Sequence, residues 1–214
     1  LDTHELNDNI MLLDIGAGNT DIGVFEGSTF LYTNSIPLGG DNITNDIALV
    51  LNISEEEADK LKRQYGLALK SFIDNDNDII LNTCRDTSKS RIIKSSELIE
   101  IIEARVEEMF TIINKDITAK GLKQKINNVI LTGQGIVNIN KSDVAGKINL
   151  NIPVKISTGR AISTVKPAYR TSYALVRYIA ARPFAKTVSS SIDTQNEENF
   201  FKTIMERIKE FFYS

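Results

Sequence analysis

The sequence is poor in two residues that often carry chemistry. Its 214 residues include one cysteine, Cys84, and one histidine, His4. A single cysteine excludes an intrachain disulfide and a site built from several thiolates, and this suits a reducing cytoplasm. A lone histidine near the start of the chain lacks the partner groups that a catalytic base or a metal site requires. We therefore expect a solvated side chain at His4.

The sequence also lacks an excess of positive charge and a long apolar run. Its 25 Lys and Arg against 28 Asp and Glu give a formal net charge of -3, which argues against nucleic acid as a partner because phosphate neutralisation needs clustered cations. No apolar run is long enough to span a bilayer, and we expect no signal peptide. The first residue is Leu1 and a strand-like run follows almost at once, so we expect a fragment of a longer protein.

What the sequence does have is a glycine-rich stretch, LLDIGAGNTDIGVFEG, from Leu12 to Gly27. Polar and apolar residues alternate from Thr20 to Phe25, which predicts a strand, so the glycines form a turn between strands and do not open a dinucleotide-binding helix. Such a turn can bind phosphate through successive backbone N–H groups, and Asp14 then lies where a carboxylate can hold Mg²⁺. A tight hairpin whose glycines serve positive φ is the alternative.

The remaining pattern predicts an α/β fold. Strands are predicted at 10–15, 20–25, 29–36, 78–81, 91–93, 129–131 and 154–156, and helices at 41–51, 54–65, 96–120 and 167–180. Asp41 and Ser54 are the expected N-caps, Glu57 completes a capping box with Ser54, and Gly66 ends the second helix. The long helix has an apolar stripe, and its acidic face is expected to be solvated. Glycine turns after two strands predict a cleft at one side of the sheet.

Five short motifs in a fixed order carry a family resemblance. They are DIGAGNTD, GGDNITNDIA, EEEADKLKRQYG, VILTGQGI and PAYRTSYAL. In this order they resemble the second half of an actin-like ATPase, and within that superfamily they are most similar to the FtsA family of bacterial cell-division proteins, over roughly Asn9 to Ala180. The resemblance implies an actin-like (ribonuclease H-like) half with a mixed sheet and flanking helices, formed by 1–53 and 122–182, and a small α+β subdomain at 54–121.

The resemblance implies a site for ATP and Mg²⁺. Asp14 is the carboxylate on the metal side. The residues expected around the β- and γ-phosphates are Gly16, Ala17, Gly18, Asn19 and Thr20. Those expected against the ribose and adenine are Asp59, Lys62 and Arg63, although the two cations can equally form a solvated pair. The expected adenosine turn consists of Gly133, Gln134 and Gly135. In family members this turn usually contains two consecutive glycines, and here Gln134 stands in place of the second. A Cβ at a site where the backbone closely approaches the nucleotide affects either the tightness of binding or the local geometry.

One half of the cleft is not in this sequence. In the superfamily the nucleotide lies between two halves, and the first half supplies a second phosphate loop and the residues that position the attacking water. Phosphoryl transfer depends on positioning and charge stabilisation from all sides. We therefore expect nucleotide-binding elements without independent ATPase activity, and we assign no catalytic residue.

The C-terminal segment combines a polar stretch with an amphipathic one. Residues 183–199 lack periodicity and predict a flexible linker. Residues 200–213 then place apolar side chains on one helical face, namely Phe200, Phe201, Ile204, Met205, Ile208, Phe211 and Phe212. This arrangement resembles the membrane-targeting tail of the FtsA family. A helix that docks on the body of the protein or on a partner is the alternative.

The resemblance as a whole implies an ATP-binding scaffold on the inner, cytoplasmic face of the membrane at the division site. Such a scaffold self-associates into filaments and tethers the tubulin-like protein FtsZ. The C-terminal peptide of FtsZ is expected at the start of the long helix, near Arg91, Lys94, Ser96 and Glu97. A small-molecule kinase of the sugar-kinase type and a pilus-assembly protein of the same superfamily are the alternatives, and fold alone cannot separate them. The amphipathic tail favours the scaffold.

Overall fold

The computed structural model describes residues 8–81 and 90–157, together with Ser172, Leu175 and Val176. His4 and Cys84 lie outside the described residues, as do the linker 183–199, the amphipathic segment 200–213 and all but three residues of the predicted helix 167–180. The rest forms a mixed five-stranded sheet with flanking helices and a separate two-stranded sheet. This confirms the predicted α/β class.

The chain begins with an antiparallel meander of three strands, β1 (Asn9–Ile15), β2 (Thr20–Glu26) and β3 (Thr29–Ile36). In β1 the alternate side chains of Met11, Leu13 and Ile15 are buried against the helices. The observed strands match the predicted ones to within one residue, and the alternation in β2 places Ile22 and Val24 on the buried face.

The larger sheet has the strand order β3-β2-β1-β6-β7, where β6 is Asn128–Thr132 and β7 is Val154–Ile156. β6 pairs in parallel with β1 on one side and with β7 on the other. β1 and β6 are each followed by a glycine turn, and parallel strands end at the same edge of a sheet. The two turns therefore lie side by side, as the sequence predicted.

Four α-helices accompany the sheets. They are α1 (Gly40–Leu51), α2 (Glu55–Tyr65), α3 (Ser95–Ala119) and α4 (Ser142–Leu150), and α3 packs against both α1 and α4. The apolar stripe predicted for the long helix is buried, and it consists of Leu98, Ile102, Val106, Met109, Ile113 and Ile117. Short 3₁₀ turns occur at Lys70–Phe72 and Lys123–Lys125.

The smaller sheet pairs β4 (Asp78–Leu81) with β5 (Arg91–Lys94) in antiparallel fashion. Both strands lie within the segment 54–121, for which the resemblance implies a small subdomain. The subdomain boundaries themselves stay a prediction. The acidic face of α3 is largely exposed, and two of its carboxylates, Glu100 and Glu103, accept hydrogen bonds from Lys70. None of the helices in the described part of the chain is long and apolar enough to cross a bilayer.

The helix caps follow the sequence in one case and depart from it in another. Ser54 is the N-cap of α2, and its hydroxyl accepts the N–H of Glu57 at 3.2 Å. The expected N-cap at Asp41 is wrong, because α1 begins one residue earlier with Gly39 as its cap. The N–H of Gly39 donates to the side-chain oxygen of Asn42 at 2.8 Å. Gly66 follows the last residue of α2, as predicted.

Helix α4 is absent from the sequence prediction. Its interior contains Gly146, which has low helix propensity, and its N-cap, Lys141, has a positive φ of 62°. The structure explains the glycine, because a Cβ at position 146 would lie 3.0 Å from the ring of Phe110 on α3. Helix α4 therefore depends on close packing against α3, and the local sequence pattern does not predict it.

Candidate functional site

Three glycine-containing turns meet at the end of the larger sheet. They are the hairpin turn at 16–19, the turn at 39–40 that leads into α1, and the turn at 133–135 after β6. The N–H of Gly40 donates to the carbonyl of Gly16 at 2.9 Å, and the N–H of Asp41 donates to the carbonyl of Ala17 at 2.8 Å. The N–H of Gly135 donates to the carbonyl of Ile15 at 2.9 Å. Backbone hydrogen bonds thus fix the three turns to one another.

The approach of these turns is too close for side chains. A Cβ at Gly39 would lie 2.3 Å from the carbonyl oxygen of Ala17, and one at Gly40 would lie 2.6 Å from the Cα of Gly135. A Cβ at Gly135 would lie 2.0 Å from the carbonyl oxygen of Gly16. These distances are well below van der Waals contact, so the turns meet only because these positions lack side chains.

The hairpin glycines have a different environment. Neither Gly16 nor Gly18 has a positive φ, whereas Gly133 has a φ of +94°. The alternative in which the hairpin glycines serve positive φ is therefore wrong. A Cβ at Gly18 would meet nothing within 4 Å, which leaves the outer side of the turn open to an approaching ligand.

The hairpin presents unused backbone donors. Within the described residues, no acceptor is hydrogen-bonded to the N–H of Ala17, Gly18 or Asn19, and all three residues are exposed. The N–H of Gly16 is used internally, at 2.9 Å from the carbonyl of Asn19. Thr20 is buried, and its hydroxyl donates to the carbonyl of Leu38 at 2.7 Å. Three successive free N–H groups are the feature that binds anions in backbone nests.

Asp14 lies at the end of β1, directly beside the turn at 133–135. A Cβ at Gly133 would be 2.6 Å from a carboxylate oxygen of Asp14. Partial burial, followed by the negative charge of Asp21 on the neighbouring strand, raises the pKa of the Asp14 carboxyl. No basic side chain of the described residues pairs with Asp14. A carboxylate in this state favours a cation.

The donor set fits Mg²⁺ with few protein ligands. The described residues contain no group of three or more His, Cys, Asp or Glu that is able to hold a metal ion. Mg²⁺ commonly keeps several waters and is bound through one or two carboxylates plus substrate phosphates. Asp14, near the end of the strand that leads into the hairpin with its free N–H groups, matches that pattern, whereas a cage made of protein ligands alone does not form among the described residues.

A cleft opens between the hairpin, the start of α1, α2 and the turn after β6. Its empty volume is about 560 Å³ and includes space open to solvent. The cleft is lined by Ala17, Gly40, Asp41, Asp59, Lys62, Arg63, Gln134, Gly135, Asn138 and Ile139. Six of these are among the residues expected to hold the nucleotide. The sequence prediction missed the other four, although Gly40 and Asp41 belong to the motif GGDNITNDIA, one of the five that carry the resemblance.

The two cations expected on α2 have different surroundings. The side chain of Lys62 is 12% exposed, and its ammonium lies 3.0 Å from a carboxylate oxygen of Asp59. The side chain of Arg63 is 73% exposed, and its Nε donates to the other oxygen of Asp59 at 2.7 Å. Burial works to raise the pKa of the Asp59 carboxyl, but the two cations outweigh it and lower the pKa. The alternative of a solvated pair is therefore wrong for Lys62.

Gln134 is compatible with its turn. The positive φ values among the described non-glycine residues belong to Asn52, Lys141 and Asn151, so position 134 does not require glycine for its backbone. The side chains of Gln134 and Asn138 are exposed and both line the cleft. The departure from two consecutive glycines therefore leaves the local geometry intact and places two carboxamides at the edge of the cleft.

The expected peptide site at the start of α3 is partly occupied by the protein itself. The N–H of Ser96 donates to Asp76 at 2.8 Å, and Glu97 accepts the N–H of Lys94 at 3.2 Å. The ammonium of Lys94 pairs with Asp78 at 2.7 Å. Arg91 is exposed. The helix N-terminus is thus capped internally, and exposed side chains are what this surface offers to a partner.

Comparison with protein families gives one family that covers most of the chain. The family model described as "Cell division protein FtsA" matches residues 11–174. The chain is 33% identical to the cell division protein FtsA of Bacillus subtilis over 178 residues, which cover 83% of this chain and 40% of that protein. It is 34% identical to the FtsA of Buchnera aphidicola subsp. Baizongia pistaciae, with coverage of 97% of this chain and 52% of that protein. The chain therefore spans about half the length of these relatives.

Solved structures show the same fold at lower sequence identity. MreB5 of Spiroplasma citri bound to AMPPNP has a TM-score of 0.67 and 18% identity, over 90% of this chain and 58% of that one. The MamK double helical filament has a TM-score of 0.63 and 16% identity, over 85% of this chain and 57% of that one. These likenesses confirm the predicted actin-like fold.

Proposed function

The chain belongs to the FtsA family of cell-division proteins, and from this premise we propose that it provides one half of the Mg²⁺-ATP site of an actin-like division scaffold. One observation carries the proposal. Four segments far apart in sequence, namely the hairpin, the start of α1, α2 and the turn after β6, line a single cleft. The turn after β6 also approaches Asp14 through Gly133, and Asp14 pairs with no basic side chain of the described residues. Likeness to a nucleotide-bound MreB5 supports the choice of ligand.

Different residues of the cleft bind different parts of the ligand. The free N–H groups of Ala17, Gly18 and Asn19 bind phosphate oxygens, because a run of backbone donors without side chains brings positive dipoles close to an anion. Asp14 orients the waters of a Mg²⁺ ion, which neutralises the phosphate charge. The carboxamides of Gln134 and Asn138 offer both donors and acceptors to the nucleoside. The Thr20 hydroxyl donates to Leu38, so Thr20 supports the hairpin instead of the ligand.

Binding without turnover is the expected behaviour of this chain on its own. It corresponds to 40% and 52% of the two relatives described above, and a half-cleft does not surround the transferred phosphoryl group. Hydrolysis needs a positioned water and charge stabilisation from the opposite side. ATPase activity therefore requires the complete cleft.

The scaffold role rests on family membership and on the C-terminal sequence. We propose that the amphipathic segment 200–213 binds lipid on the inner face of the membrane, that the surface near Arg91 receives the C-terminal peptide of FtsZ, and that the protein self-associates into filaments. Likeness to the MamK filament supports the last point. Together these contacts tether an FtsZ ring to the membrane at the division site.

Calorimetric titration with ATP and Mg²⁺ tests the nucleotide site. We expect saturable binding by the parent chain and at least a tenfold loss of affinity in Asp14→Ala, which corresponds to about 1.4 kcal/mol. Asp74→Ala is the matched control, because Asp74 is exposed and does not line the cleft. The affinity difference between the parent and Asp14→Ala is expected to shrink when EDTA removes Mg²⁺. Equal affinities of parent and Asp14→Ala in the presence of Mg²⁺ contradict the assignment.

A further inference from the structure

Lys62 uses its ammonium group entirely within the protein. A lysine ammonium has three hydrogens and no acceptor. Its Nζ lies 2.6 Å from the hydroxyl of Thr44, 3.1 Å from the carbonyl of Gly40 and 3.0 Å from the carboxylate of Asp59. These three partners match its three donors. Lys62 is among the residues that line the cleft, but its charged end is not free for a ligand.

The partners of Lys62 connect it to the hairpin. Gly40 and Thr44 belong to the first turns of α1. The N–H of Gly40 donates to the carbonyl of Gly16, and the next N–H, that of Asp41, donates to the carbonyl of Ala17. The bond from Lys62 to the Gly40 carbonyl therefore fixes the same turn that holds the hairpin in place.

Arg63 has the opposite character. Its side chain is 73% exposed, and it donates its Nε–H to Asp59 at 2.7 Å. A guanidinium has five N–H donors, and the other four are not bonded to an acceptor of the described residues. Because Arg63 also lines the cleft, these donors are available at its edge.

We propose that Lys62 is a positioning residue, whose ammonium fixes the start of α1 against the hairpin, so that of the two cations which the resemblance places against the nucleotide only Arg63 remains free to contact an anionic group of it. The role of Arg63 rests on the proposed nucleotide function, whereas the role of Lys62 concerns the ligand-free protein as well. Two neighbouring cations that the sequence pattern treats alike thus have separate roles.

Amide hydrogen exchange of the ligand-free chain, resolved by NMR, tests Lys62. In Lys62→Met we expect the amides of Gly40 and Asp41 to exchange at least tenfold faster, because the stem remains while the bonds are lost. Thr44→Val removes one acceptor and is expected to accelerate the same amides to a smaller extent, which covers the case in which Lys62→Met folds poorly. Lys60→Met is the control, since Lys60 pairs with Glu56 on the exposed side of the same helix. Unchanged exchange of both amides in Lys62→Met and in Thr44→Val overturns the positioning role.

The salt dependence of Mg²⁺-ATP affinity tests the division between the two cations. Loss of a direct ion contact reduces the dependence of affinity on ionic strength, because an exposed charge pair is screened by salt. We expect Arg63→Gln to lower the affinity and flatten this dependence, and Lys62→Met to lower the affinity with the dependence unchanged. The reverse pattern overturns the proposal. Absence of ATP binding by the parent chain overturns the role of Arg63 together with the proposed function, whereas amide exchange still decides the role of Lys62.

Discussion

At the scale of single residues, the glycines of the site are required for two different reasons. Gly39, Gly40 and Gly135 lie where three backbones touch, and a Cβ at any of them would meet another backbone within 2.6 Å. Gly18 lies at the open side of the hairpin, where a Cβ would meet no protein atom within 4 Å. The first three glycines are therefore required for a stable fold, whereas Gly18 keeps the hairpin accessible to a ligand.

The variants Gly40→Ala and Gly18→Ala distinguish the effect on stability from the effect on ligand binding. Gly40→Ala is expected to lower the free energy of unfolding by about 1–3 kcal/mol, as other substitutions that overpack a tight contact do. Gly18→Ala is expected to leave the unfolding free energy within roughly 0.5 kcal/mol of the parent and to weaken Mg²⁺-ATP binding. Urea unfolding measures the first effect, and calorimetric titration measures the second. Equal unfolding free energies for the two variants contradict the close approach of the three turns.

The raised pKa of Asp14 predicts that the difference in stability between the parent chain and Asp14→Asn depends on pH. Burial and the charge of Asp21 raise the pKa of Asp14, so its ionisation costs more free energy in the folded than in the unfolded chain. This cost is absent below the unfolded pKa and reaches its full size above the raised folded pKa. Asp14→Asn is therefore expected to raise the melting temperature of the ligand-free chain at pH 7, and this gain is expected to vanish as the pH falls to about 4.

Thermal unfolding with and without ligand completes this test. Mg²⁺-ATP is expected to raise the melting temperature of the parent more than that of Asp14→Asn, because a ligand that binds only the folded state stabilises it in proportion to its affinity. Asp74→Asn, at an exposed position outside the cleft, is the control. A lower melting temperature for ligand-free Asp14→Asn at pH 7 contradicts the electrostatic cost assigned to Asp14.

At the scale of elements, the start of α3 shows that packing can occupy a helix N-terminus that the sequence leaves open to a ligand. The sequence suggested an N-terminus open to an extended peptide, but Asp76 accepts hydrogen bonds from the Ser95 and Ser96 hydroxyls and from the Ser96 N–H. Asp76 comes from the segment before β4, so no local pattern predicts it as the cap. An interaction with FtsZ at this surface then depends on exposed side chains such as Arg91.

Charge reversal at Arg91 and Lys94 tests that surface. The double variant Arg91→Glu and Lys94→Glu is expected to weaken binding of the FtsZ C-terminal peptide several-fold, measured by fluorescence anisotropy. The fold is expected to tolerate it, because the Lys94–Asp78 pair is exposed and such pairs contribute about 0–1 kcal/mol. The control has the same charge change at two exposed lysines elsewhere, Lys125→Glu and Lys147→Glu. Equal affinity of parent and test variant places the recruitment surface elsewhere.

At the scale of the whole molecule, the function proposed for this chain joins a nucleotide half-cleft to a membrane tail. The cleft is built on the sheet and helices of residues 8–81 and 90–157, and the tail is a feature of the sequence at 200–213. Four of the seven apolar residues of the tail are phenylalanine, each worth roughly 1.5–3 kcal/mol if fully buried and less at an interface. Its three cations and two carboxylates add little attraction to anionic lipid.

Flotation with anionic lipid vesicles tests the tail. Ile208→Glu places a carboxylate within the apolar face and is expected to release the chain from vesicles, whereas Lys202→Glu on the polar face is expected only to weaken binding. Binding is expected to persist at raised salt, because hydrophobic insertion outweighs the charge term. A chain that ends at Asn199 is the negative control. If the full chain and the shortened chain float equally, the tail is a docking helix and the membrane role is wrong.

The sequence by itself determined the strands, most helices and the family. The two-residue alternation of β2 and the apolar stripe of α3 are local patterns, and five motifs in order identified the actin-like half because their spacing is set by the same fold. The sequence also named six of the ten residues that line the cleft. The strands and helices depend on residues close together in the chain, whereas the cleft residues were named through the family resemblance.

Only the tertiary structure decided which of these residues act together. Gly39 and Gly40 matter because the turn at 133–135 and the hairpin reach the same place, and Gly146 is tolerated in α4 because the ring of Phe110 lies against it. Lys62 and Arg63 are neighbours in sequence, yet one points to α1 and has its donors satisfied while the other remains exposed. A hydrogen bond or a backbone contact between distant segments depends on packing across the whole sheet, and no periodicity in the sequence encodes it.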